Sequence, residues 1–146
     1  MSHSRRRAGI LAVVLAAAMA LGAVAVSSGA GAASGPREVH IDIRYSRFSE
    51  QRIEVAPGEA VRFVLVNRDP IAHEFIVGDA RMQLVHERGS EARHAPRPGE
   101  ISIPAGTTRA TTVMFGADSV AGFTLFGCHL PGHYAYGMTG AIEFVR

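Results

Sequence analysis

Phe126-Gly127-Cys128-His129-Leu130-Pro131-Gly132-His133-Tyr134-Ala135-Tyr136-Gly137-Met138 sets a cysteine, a histidine and a methionine at five-residue intervals, just ahead of a strand-like segment at 140–145. Three soft or borderline metal ligands therefore share one loop. Cys128 is the single cysteine of the chain, so no intramolecular disulfide can form. A lone thiol invites oxidation or intermolecular pairing unless it is buried or occupied, and metal ligation would occupy it.

Upstream of this loop the chain reads as short strands and turns. Val39, Ile41, Ile43 and Tyr45 alternate with His40, Asp42 and Arg44, the two-residue period of a strand with one buried face. Further strands are expected at 52–55, 60–67, 73–77, 108–115, 122–128 and 140–145, each rich in β-branched or aromatic residues. Ala56-Pro57-Gly58-Glu59 and Pro104-Ala105-Gly106 supply turns between them. Seven strands without a long amphipathic helix predict an all-β, two-sheet antiparallel sandwich.

The segment 78–100 is longer than a plain connection between strands. Asp79 is placed to cap a short helix over 80–88, and Gly89 to end it in the left-handed conformation; the rest reads as irregular loop.

The N-terminus is of another kind. Arg5, Arg6 and Arg7 precede an uncharged apolar run from Ile10 to Ser27, and Ala30-Gly31-Ala32-Ala33 follows. This is the pattern of a secretory signal over 1–33, with an uncleaved anchor as the alternative and Sec or twin-arginine export both open. Residues 34–146 would then form one domain carrying the 78–100 insertion, outside the cytoplasm, in contact with a membrane only if the signal is retained. The chain has no lysine, so all fifteen Lys+Arg positions are arginine. Without the three in the signal, acidic residues outnumber basic ones by one, so the chain has no clustered positive charge to neutralise phosphates, and nucleic acid is excluded as a partner.

Among metals, copper suits the loop best: thiolate and thioether favour Cu(I), imidazole accepts both oxidation states, and a plane of two histidines and a cysteine with a weak axial methionine forms a blue-copper site. The missing histidine is His73, which opens a strand after the turn Asn67-Arg68-Asp69-Pro70. Zinc fits less well, because thioether is a poor zinc ligand and only one cysteine is available. A cysteine–histidine nucleophile lacks an orienting third group.

Val61 through Asn67, His73-Glu74-Phe75, and the Cys-x4-His-x4-Met loop with Pro-Gly before its second histidine resemble the cupredoxins, the plastocyanin and azurin superfamily. The resemblance covers nearly all of residues 38–146. It implies an eight-stranded Greek-key β-sandwich with one type 1 copper held by His73, Cys128, His133 and Met138. It further implies one-electron transfer through an apolar surface near His133, to which Leu130, Pro131, Tyr134, Ala135 and Tyr136 would contribute. Where many cupredoxins carry Asn, Ser or Thr after the first histidine to tie the ligand loops together, this chain carries Glu74; Asn67 is the candidate replacement. Leu130 N–H is a candidate donor to the Cys128 sulfur.

His129 directly follows Cys128, a position from which histidines of multicopper oxidases reach a second copper cluster. Those enzymes also need several His-x-His pairs and this chain has none, so His129 reads as a solvent-facing residue at a strand end. Met82 and His86 stand at i, i+4, with His94 and His40 elsewhere, and could build a second copper site. The preferred reading has Met82 and Val85 packing the short helix onto the sandwich while the histidines are solvated. The expectation is thus a non-enzymatic, monomeric, exported electron carrier that meets redox partner proteins transiently near His133. The alternative is a copper-buffering or copper-delivery protein using the same ligands together with those of the insertion.

Overall fold

The computed structural model describes residues 35–89, 95–117 and 122–145. The signal predicted at 1–33, and His94, lie outside the described residues. Among the described residues no helix is long and apolar enough to cross a membrane.

Among the described residues nine strands form two sheets. The first contains β2 (Arg47–Phe48), β1 (Arg37–Arg44), β4 (Ala60–Asn67) and β7 (Thr108–Met114), in that order. The second runs β3 (Arg52–Val55), β9 (Thr139–Phe144), β8 (Gly122–Gly127), β5 (His73–Gly78), β6 (Glu100–Ile103). All seven expected strands are present. Two were not expected: β2 is only two residues long, and β6 closes the insertion and covers the edge of β5. The sandwich is also not wholly antiparallel. β1 pairs with β4, and β3 with β9, in parallel register, as in Val39 opposite Phe63 and Ile53 opposite Ile142. Parallel neighbours need long crossover connections, and no local turn signal announces them.

Period-two burial joins the sheets. Val61, Phe63, Leu65 and Asn67 of β4 all face inward, against Phe75, Ile103, Phe126 and Ile142 of the other sheet. Phe75 and Phe126 meet at a tilt with 5.3 Å between ring centroids, and Phe48 meets Phe126 edge-on at 5.4 Å. Each such fully buried apolar side chain contributes ~1.5–3 kcal/mol.

Tyr45 departs from the expected alternation. It is 91% exposed, because β1 ends at Arg44 and Tyr45 and Ser46 form the two-residue turn into β2 with φ of 53° and 52°. Two left-handed residues give the turn the twist of the strands it joins.

The helix α1 (Ala80–Glu87) matches its sequence signals: Asp79 accepts from Met82 N at 2.8 Å, and Gly89 follows with φ 74°. Its packing differs from expectation. The buried residues are Gln83 and His86, while Met82 and Val85 are half-buried. Gln83 accounts for this, since its Nε2 donates to Ile76 O and Gly78 O of β5, the strand on which the helix packs.

Candidate metal centre

Three strand ends converge at one pole of the sandwich. His73 is the first residue of β5, Cys128 follows β8, and Met138 precedes β9; all three are fully buried. The 128–138 segment closes on itself: Cys128 N donates to Met138 O at 3.1 Å, and Met138 N to His133 O at 2.9 Å. His133 N bonds Leu130 O at 2.9 Å, so the turn presents the His133 ring inward. Gly132 and Gly137, with φ of 85° and 89°, supply left-handed positions that a side chain would strain. The Arg47 guanidinium, from β2, donates to Tyr136 O and ties the loop to the first sheet.

The result is a compact donor set. Cys128 Sγ lies 3.3 Å from His133 Nδ1 and 4.0 Å from His73 Nδ1. All three ligand atoms fall within 4.8 Å of one another. Spacings near 3.5 Å are those between ligands sharing one small cation at bond lengths of about 2.0–2.3 Å. The structure thus brings His73, Cys128 and His133 together, and Met138 is buried in the same core cluster as Cys128.

Protonation follows from burial. Burial pushes the Cys128 thiol up from 9.0 to about 11, although the N–H groups of Glu74 and Leu130 pull the other way. Glu74 N donates to Sγ at 3.3 Å, so this bond comes from the backbone, while the Glu74 charge adds to the upward push on the thiol. Burial lowers His73 below the ordinary histidine value, and the charge of His133 adds to this, with Asp69 opposing.

Three expectations are corrected here. Asn67 does not tie the two ligand loops; its Nδ2 bonds Ile71 O, Ile103 O and Pro104 O, joining the β4–β5 loop to the end of β6. His129 is not solvent-facing: its side chain is 2% exposed, with Nε2 at 2.8 Å from Gln83 Oε1, Nδ1 at 2.9 Å from Glu87, and Tyr134 stacked on the ring at 4.6 Å. Helix α1, folded over the strand end, supplies the Gln83 and Glu87 contacts. His86 is likewise buried and faces Glu100 at 3.6 Å, while His40 is exposed beside Glu38.

Sequence reasoning missed Asp69. Its carboxylate lies 3.0 Å from His73 Nε2 and accepts the N–H groups of Tyr45 and Ser46. The only local signal is an acid four residues before the strand-opening histidine, across Pro70. Burial would raise Asp69, but those N–H groups and the His73 ring outweigh it and hold the carboxyl below its ordinary range.

A two-sheet sandwich with this strand order is the cupredoxin fold, and a cysteine sulfur between two imidazoles at one end is a donor set that fits one type 1 copper. The chain superposes on auracyanin from Roseiflexus castenholzii (TM-score 0.62, 18% identity, 77% of this chain and 100% of that one). Auracyanin A, a "blue" copper protein from Chloroflexus aurantiacus, gives a TM-score of 0.61 at 22% identity over 76% of this chain and 100% of that one. In sequence it is similar to the copper-resistant cuproprotein CopI of Rubrivivax gelatinosus, at 35% identity over 100 residues, covering 66% of this chain and 58% of the relative. CopI of Pseudomonas aeruginosa is 27% identical over 146 residues, covering 77% of this chain and 78% of that one. This chain therefore spans little more than half the length of the first of these relatives. No family model matches it.

Proposed function

We propose that this chain is an extracytoplasmic, non-enzymatic copper protein that holds one type 1 copper between His73, Cys128, His133 and Met138 and passes single electrons between protein partners. One observation carries the reading: two imidazole nitrogens and a buried sulfur converge within 4.8 Å at the end of a cupredoxin sandwich. Copper bound there would supply reversible one-electron exchange between Cu(I) and Cu(II). The protein's part is to hold the donors still. His73 and Cys128 are anchored at strand ends, the 128–138 loop is braced by its own backbone bonds, and the buried surroundings keep water away. Pro131, Ala135 and Tyr136 are exposed around His133 and suit brief contact with a partner.

Copper buffering or delivery is the second reading, favoured by the similarity to copper-resistance proteins. Met82 and His86 contribute little to an open copper-collecting face, since one is half-buried and the other buried against Glu100. Titration of the purified chain with Cu(II), followed by visible and paramagnetic-resonance spectra and then voltammetry, tests the proposal. An intense thiolate-to-copper band at one equivalent, absent in Cys128→Ser, with reversible cycling and slow loss to chelators, is expected. A band whose copper leaves to a chelator faster than it cycles would shift the function to buffering; absence of the band would refute the copper centre.

A further inference from the structure

The β1–β2 hairpin reaches the metal centre through one carboxylate. Tyr45 and Ser46 both adopt left-handed φ without being glycine, and their N–H groups point at Asp69, at 2.7 Å to Oδ1 and 2.8 Å to Oδ2. Asp69 N is in turn held by Asn67 Oδ1 at 3.0 Å. The carboxylate, about one-tenth exposed, presents Oδ2 to His73 Nε2 at 3.0 Å. The opposite ring nitrogen, His73 Nδ1, is the one that faces Cys128 Sγ. An imidazole that offers a lone pair at Nδ1 must carry its proton at Nε2, and a partner at Nε2 sets that tautomer and the ring's orientation.

We propose that Asp69 is a positioning residue of the metal centre: its carboxylate holds His73 with Nδ1 turned to the site, and its negative charge favours the oxidised metal. This rests on the copper reading above for its redox half only. Cu(II) carries one more positive charge than Cu(I), so a buried anion one ring away stabilises it more. The ring, polarised by a carboxylate, also becomes a stronger donor. The turn N–H groups keep the carboxylate in place without neutralising it.

Two measurements on the full-length chain test this. Nitrogen-15 NMR of the metal-free protein reads the His73 tautomer. The proton is expected on Nε2 in the wild type, with Asp69→Ala losing that preference; a wild-type His73 protonated on Nδ1 overturns the proposal without any variant. In the copper-loaded chain, Asp69→Asn, which keeps the side-chain shape, should raise the Cu(I):Cu(II) ratio at fixed poise about tenfold, or ~59 mV for a one-electron couple. A change below threefold, or toward Cu(II), overturns the electrostatic role. Absence of a thiolate-to-copper band in the wild type would instead count against the copper centre, and the NMR measurement would still decide whether Asp69 positions His73.

Discussion

Removing the Asn67 amide should loosen the loop that delivers His73. Asn67 is 2% exposed and ends β4. Its Nδ2 lies 2.8 Å from Ile71 O, 3.1 Å from Ile103 O and 3.1 Å from Pro104 O, and its Oδ1 accepts Asp69 N at 3.0 Å. Asn67→Ala removes these side-chain bonds and keeps the backbone bond from Asn67 N to Thr107 O. The Ile71 and Pro104 carbonyls sit in part-buried bonds and can recover water, whereas the bonds to Ile103 O and from Asp69 N are buried. Loss of the buried bond to Ile103 O at ~1 kcal/mol, and of the partner of the buried Asp69 N at ~1–3 kcal/mol, gives an expected loss of about 3 kcal/mol. Urea unfolding of the metal-free protein measures it as a lower midpoint at unchanged slope; for a domain of this size the melting temperature falls by roughly 12 °C. Asn67→Asp, which turns a carboxylate toward three carbonyls, should cost more. A loss under about 1 kcal/mol in Asn67→Ala would refute this account of the loop.

The Cys128 thiol makes metal-free stability fall in alkali. Its proton is retained in the fold up to about 11 but leaves the unfolded chain near 9.0, so stability is full below about pH 9 and drops by about 2–3 kcal/mol in all as pH rises through that window. Denaturation curves taken across the window, compared with Cys128→Ser, check this, and parallel curves would refute it. Gly127→Ala should disturb the loop from beneath, since a Cβ there would meet Tyr134 Cδ2 at 2.6 Å. Displacing that ring, which stacks on His129, is expected to cost ~1–3 kcal/mol and to shift the visible spectrum of the copper form; unchanged stability and spectrum would show the ring to be free to move.

Much of the fold was legible locally. Alternation in β1 and the caps at Asp79 and Gly89 act over a few residues, so the side chains that decide them are neighbours in sequence. The loop spacing of Cys128, His133 and Met138 belongs to the same category, because the turn that gathers them is built from their own backbone bonds and two glycines. The misreadings share a different origin. Tyr45 continued the alternation on paper, yet the chain reverses there. His129 stood at a strand end, where exposure is the usual outcome, until α1 folded over it with Gln83 and Glu87.

By itself, then, the sequence determined the all-β class, the short capped helix and the residue types that a copper would need. Tertiary structure decided the parallel pairings of β1 with β4 and β3 with β9, the burial of His86 and His129, and the carboxylate behind His73. These depend on chain segments that meet only after the sandwich closes: Asp69 receives its N–H donors from residues 23 and 24 positions away, and Glu74 meets Cys128 across 54. Hydrogen bonds over such separations leave no periodic trace, because their partners are selected by which sheet edges pack together and not by local conformational preference.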